Sequence, residues 1–241
     1  MTIYKKLTYK RLDHKVFLVE WPPSIDENTL EEILALQKIL YQNFSQEIRE
    51  TVPGYHSLAV FLKDKVSYSE ILPRIQESIP DADQVKITTD HWELPVCYDK
   101  EFGPDLESAS KHTGISEQEL VCLHQQGTYL VHFIGFLPGF PYLGGMDSRL
   151  SMPRKKNPRI SVPAGAVGIA GNQTGIYPQN SPGGWNIIGS CPVPLFHPNQ
   201  CPPCLLKPGD RVHFKAITQE EYRYLRESPA AWDTFKRSNG G

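Results

Sequence analysis

Two arginines, two histidines and a set of aromatic and polar residues in the second half of the chain have the chemistry to bind or process a small ligand. Arg154 and Arg159 carry planar guanidinium groups, which can hold a carboxylate or a phosphate through two parallel hydrogen bonds. The plainer reading of the run Arg154-Lys155-Lys156 is a solvated basic loop, because clustered charge usually faces water. His124 and His132 are candidates for acid–base work, since imidazole titrates near neutral pH. His132 lies inside an apolar run, so a hydrogen-bonded core histidine is an equal alternative. His124 closes a helical pattern, where a cation is favourable simply through the helix dipole. Phe136, Phe140, Tyr142, Gln173, Tyr177, Ser181 and Trp185 could line a cleft. Ser181-Pro182-Gly183-Gly184 could offer backbone N–H groups to an anion; a tight turn is the alternative.

The setting of these residues is unusual. Eleven of the 18 glycines fall between Gly135 and Gly189, with prolines interleaved. Glycine weakens strands and proline removes a ladder donor. Backbone that must approach a ligand would explain such a composition, and so would a β-barrel with many tight corners. Cys191, His197, Cys201 and Cys204 could supply soft ligands to zinc. Yet Pro202-Pro203 fills the one C-x-x-C pair, so no metal is expected. Neither a G-x-x-x-x-G-K-[ST] loop nor a strand-G-x-G-x-x-G-helix fingerprint occurs, and there is no G-x-S-x-G elbow.

The elements that must position these residues divide by texture. The first part alternates strands and helices. Strands are expected over 15–21, 56–62, 85–89 and 92–98. Helices are expected from the capping pair Ser24 and Glu27 through Ile48, and over 68–78. This order is of the ferredoxin-like α+β kind, a small open sheet with helices on one face. Two further helices, 104–111 and 116–125, form a helical linker. From Tyr129 onward, short β-like runs (YLVHFIGF, RISVP, AVGIA, WNIIG, RVHFKAI) are punctuated by Pro-Gly and Gly-Gly, as in a closed or sandwiched all-β domain. The expected domains are 1–100, 101–128 and 129–241.

Bulk properties narrow the class. The formal charge is −2, with 39% hydrophobic and 22% charged residues. Nothing in this balance points to nucleic acid or a membrane. No secretory signal is visible, and the most apolar stretch is too short to span a bilayer. A cytoplasmic protein with free thiols is expected from its five cysteines.

The blocks GFLPGFPYLGGMD (135–147), MPRKKNPRISVPAGAVGIAGNQTGIYPQNSPGGWNIIGSCPVPLF (152–196) and LLKPGDRVHF (205–214) resemble the signature blocks of the 5-oxoprolinase B-subunit family. Segments 94–124 and 52–61 resemble its upstream blocks. That family includes kinase-inhibitor (KipI-like) proteins and the first subunit of allophanate-hydrolase-type and urea-carboxylase assemblies. The resemblance implies an N-terminal α/β domain followed by a cyclophilin-like β-barrel. It implies ATP-dependent opening of the 5-oxoproline lactam to glutamate, with ATP bound here or by a partner. It also implies partners: a homologous C subunit (PxpC- or KipA-like) and an A subunit (PxpA-like), or, for an inhibitor, a sensor histidine kinase. On this view His124, His132 and Arg154 are catalytic candidates. Phe136, Phe140, Arg159, Gln173, Tyr177, Ser181, Gly183, Gly184 and Trp185 are the substrate-binding candidates. A carboxyltransferase half of a urea-carboxylase assembly would need its biotin carrier on another chain.

Overall fold

The computed structural model describes residues 7–79, 85–228 and 232–237. The chain is a mixed α/β protein that divides into two compact units, residues 1–88 and 89–241.

In the first unit, β1 (Thr8–Arg11) and β2 (Val16–Glu20) precede the long helix α1 (Glu27–Asn43). Then come β3 (Ile48–Pro53), β4 (Ser57–Leu62) and helix α2 (Tyr68–Ser78), which fills its expected span. The sheet order is β1-β2-β4-β3, with every pair antiparallel. β4 thus lies between β2 and β3, the two strands joined by α1. Leu30, Ile33, Leu34, Leu36 and Leu40 recur at helical spacing and are buried, and several of them meet Phe17, Val19, Leu58 and Val60 from the sheet. Two expectations are corrected here. Residues 85–89 form no strand, and the α1 cap is not Ser24. The α1 cap is Asp26, whose carboxylate accepts from Thr29 N at 2.8 Å, while Ser24 donates to that same carboxylate.

The second unit opens with β5 (His91–Val96), followed by α3 (Leu106–Thr113), α4 (Glu117–Gln126), β6 (Tyr129–Ile134) and β7 (Pro141–Gly144). Next come β8 (Arg159–Val162), β9 (Ala166–Ala170), β10 (Gln173–Ile176), β11 (Ser181–Gly183) and β12 (Asn186–Ser190). The last elements are β13 (Arg211–Ala216), α5 (Gln219–Glu227) and β14 (Lys236–Arg237). Eight of these strands form one sheet in the order β12-β9-β10-β7-β6-β13-β5-β14, and β8 and β11 form a separate ribbon. The sheet is not a closed barrel. Its β12 strand meets the β5 segment through a single bridge, Cys97 with Ser190, with both backbone bonds at 2.9 Å.

Residues 89–128 belong to this unit, not to the first domain or a linker. β5 runs parallel to β13 over six residue pairs, from His91–Arg211 to Val96–Ala216. Its Trp92 Nε1 donates to the buried Asp210 at 2.9 Å. Helices α3 and α4 pack Leu106, Ala109, Leu120 and Leu123 into the same core as Val131, Leu143, Ile169 and Phe214. Among the described residues, no helix is long and apolar enough to cross a membrane.

Candidate functional site

An aromatic cluster sits where β6, β7, β10 and the β11 ribbon converge. Phe140 is buried at its centre and meets Tyr177 at 5.2 Å, Trp185 at 5.4 Å and Phe136 at 5.7 Å, all edge to face. Tyr142 packs against Phe140 at 5.1 Å and Trp185 at 6.1 Å. Such pairings suit the ring quadrupoles and fix the rings against one another. Phe136 is different: it is 61% exposed and has φ of +67°. A bulky L-residue in that region is strained. It stands at the rim of the cluster, edge-on to Tyr177 at 6.5 Å.

Gly183 and Trp185 complete the cluster. A Cβ on Gly183 would run into the Tyr177 ring and hydroxyl, so only glycine fits there. Burial raises the Tyr177 pKa, while a backbone hydrogen bond from Trp185 and the charge of Arg154 pull it down. Residues 181–184 are therefore not an anion nest. Ser181 and Gly183 pair with Val162 and Arg159 as a strand, and the Gly184 carbonyl accepts from Lys155 N at 2.7 Å. Gln173 stands at the turn between β9 and β10, opposite Ala170.

Behind the ribbon lies a carboxylate that sequence reasoning passed over. Asp105 is buried just before α3, and it makes no cap bond to that helix. Its oxygens accept from Arg159 Nη1 and Nη2, Lys155 Nζ and Ile187 N, each at 2.7 Å. Burial raises its pKa most, but the Arg159 and Lys155 bonds and the Ile187 N–H outweigh that and hold it below the usual carboxylate value. Arg159 is thus engaged by Asp105, and its expected role as a ligand-holding fork gives way to a structural one. Lys155 is likewise drawn inward to 28% side-chain exposure. The signal available beforehand was electrostatic: a run holding Arg154, Lys155, Lys156 and Arg159 calls for a carboxylate, and Asp105 lies in the segment expected as the helix 104–111.

Arg154 and Lys156 flank the anchored Lys155 and line an open cleft of about 390 Å³ against α3. Ser108 and His112 of that helix, Met152 and Asn186 line it too. Among the described residues, neither Arg154 nor Lys156 has a carboxylate partner.

The histidines sit in the core. His124 is fully buried and stacks on Phe214 at 4.6 Å and 11°. Tyr98 Oη lies 2.7 Å from Nδ1, and Thr174 Oγ1 lies 2.9 Å from Nε2. Thr174 donates its own proton to Gly168 O at 3.0 Å. Its hydroxyl must therefore accept from Nε2–H, and Tyr98 must donate to Nδ1. Every link in that chain is satisfied by a neutral imidazole. Burial pushes the His124 pKa down to about 3, so the residue is a fixed core group and not an acid or base at neutral pH. His132 is also buried, on β6. A Cβ on Gly144 would come within 2.5 Å of its Nε2, so the ring packs against that glycine. Cys191 is buried as well, with burial raising its thiol to about 12. No group of three or more metal-binding side chains occurs among the described residues.

Several known proteins resemble this chain. A family model described as the carboxyltransferase domain, subdomain C and D, matches residues 7–206. The 5-oxoprolinase B subunit of Bacillus subtilis (strain 168) is 42% identical over 191 residues, covering 74% of this chain and 79% of that one. The solved structure of TTHA0988 superposes with a TM-score of 0.76 at 35% identity, covering 84% of this chain and 40% of that one. This chain therefore spans about two fifths of that longer protein. More distant is the urea amidolyase of Saccharomyces cerevisiae, 25% identical over 255 residues, covering 92% of this chain and 14% of that one.

Proposed function

The chain belongs to the carboxyltransferase-domain family that holds the 5-oxoprolinase B subunits, and from that premise we propose that it is the B subunit of an ATP-dependent 5-oxoprolinase. The observation that carries this is the 42% identity to a 5-oxoprolinase B subunit, sustained over 79% of that protein. The urea amidolyase is more distant at 25%, which disfavours the reading as half of a biotin-dependent carboxyltransferase. We read the second unit as an opened version of the cyclophilin-like barrel. The first resembles a ferredoxin-like layer whose last strand is replaced by β1.

The reaction asks for activation, because an amide carbonyl is a poor electrophile. ATP supplies the means, by transferring its terminal phosphoryl group to the lactam oxygen. Water then adds to the ring carbon and the C–N bond breaks toward the nitrogen, which takes up a proton and leaves the carbonyl as an acyl phosphate; a second water hydrolyses that to glutamate and inorganic phosphate. Steps of this kind depend on positioning and on cations facing phosphate charge. In this chain Arg154 and Lys156 are cations available for that work, and Phe136 offers an aromatic face to a small ring. Arg159 and Lys155 hold the strap that carries Arg154, and they act through it. A homologous C subunit and an A subunit would complete the site. The Bacillus relative is named as one subunit of its enzyme, which supports such partners, as does the greater length of TTHA0988.

The test is co-expression with candidate C and A subunits, followed by an assay of glutamate release from 5-oxoproline. Glutamate formed in step with ATP hydrolysed is the expected result. An assembled complex that releases none with ATP present removes the proposal.

A further inference from the structure

We infer that the cleft between α3 and the strap 152–158 is a phosphate-binding site on this chain itself. The strap is fixed along its length. Met152 bridges to Gly171, Asn186 Nδ2 donates to Pro153 O at 2.9 Å, and Lys155 N donates to Gly184 O at 2.7 Å. The Lys155 side chain turns inward to Asp105. Its two neighbours, Arg154 and Lys156, line the cleft beside it. Their positions are thus set by backbone bonds and a buried ion pair.

The charge around the cleft is unbalanced. Arg154 and Lys156 have no carboxylate partner among the described residues, and the one carboxylate that meets this run, Asp105, binds Lys155 and Arg159. That carboxylate is already filled by Arg159, Lys155 and the Ile187 N–H. Like charges held close repel unless an anion joins them. The donors also approach from several directions: Arg154 and Lys156 from the strap, His112 from the facing helix, and the Asn157 amide from the strap's far end. A planar carboxylate is best met by one fork, whereas a tetrahedral phosphoryl group accepts from separate directions. Ala109, Met152 and Pro153 give the cleft an apolar wall, and its volume of about 390 Å³ suits a small molecule. The ligand class is therefore a phosphate, either free or carried by a nucleotide.

This inference rests on the preceding function only for which phosphate is used. Binding by this chain alone and lactam opening by the assembled subunits can fail separately. The experiment titrates the purified full chain with ADP, inorganic phosphate and 5-oxoproline, followed by calorimetry and by ¹H–¹⁵N spectra of the side-chain amides. Saturable binding of ADP or phosphate that shifts Asn157 and Asn186 is expected, weakened at least tenfold in the double variant R154A/K156A and unchanged in K10A. ADP binding without phosphate binding would point to a nucleotide, and equal binding of both to the phosphoryl group alone. Both support the site. Binding of neither ADP nor phosphate at millimolar concentration, binding indifferent to R154A/K156A, or binding of 5-oxoproline alone with the same dependence would each overturn it. The double variant should keep the wild-type unfolding midpoint, because neither side chain holds the fold.

Discussion

Replacing Asp105 by asparagine would leave Arg159 and Lys155 in place with no carboxylate to face, and Ile187 N–H with a weaker acceptor. Removing one partner of a buried ion pair is costly. These two cations keep 29% and 28% side-chain exposure, so a loss near the lower end, about 3 kcal/mol of unfolding free energy, is expected from urea denaturation. Arg154→Ala is expected to behave in the opposite way, with an unchanged melting temperature and a kcat/KM of the assembled enzyme lowered at least tenfold. Full activity in that variant would remove Arg154 from the site. His124 makes a pH prediction. Its folded pKa is about 3, against an ordinary value of 6.5. Between those values the unfolded chain binds more protons, so the stability His124 contributes is complete above about pH 6.5 and declines as pH falls toward 3. Urea midpoints of the wild type should fall from pH 6.5 to pH 4, and His124→Gln, which does not titrate, should flatten that slope. None of these roles could be read from residue types. Sequence put the two histidines and the two arginines forward as candidates, but only their surroundings separate a core imidazole from an acid and a structural guanidinium from a free one.

The loop between β6 and β7 turns back on itself through Gly135 N to Phe140 O at 3.1 Å and Leu137 N to Gly135 O at 2.8 Å. It forces Phe136 into the left-handed region. Phe136→Gly removes that strain, and Phe136→Ala keeps it while also losing the ring. The glycine variant is therefore expected to unfold at higher denaturant than the alanine variant, by about 1 kcal/mol. Equal midpoints would mean that the backbone there is not strained. At this scale the helices and the apolar strands were legible because their periodicity is strong: α2, β9 and β13 lie where the pattern put them. β7, β10 and β11 were not. Each contains glycine or proline (Pro141 and Gly144, Gly175, Pro182 and Gly183), and those residues read as punctuation. Tertiary packing overrides that reading: a Cβ on Gly175 would meet Pro141 O at 2.8 Å and Phe140 Cζ at 3.0 Å. There glycine marks strands pressed against aromatic rings.

For the molecule as a whole, family and composition pointed to a mixed α/β protein, which it is, while the boundary between its halves fell in the wrong place. β5 reads locally like one more strand of the first domain, and only its partner β13, far away in sequence, assigns it. A fragment of residues 89–241 is therefore expected to unfold cooperatively in urea. A fragment of 101–241, which lacks β5, the Trp92–Asp210 bond and the Cys97–Ser190 bridge, should show no cooperative transition. Cooperative unfolding of the shorter fragment would show β5 to be dispensable. The same pairing has a wider consequence. β5, the first strand of the second unit, lies between β13 and β14, its last two, with His91 opposite both Arg211 and Arg237. The polypeptide is thus received and released along one border of the sheet. A module wired in this way can be spliced into a longer protein, or tethered to a sibling, without cutting a single ladder.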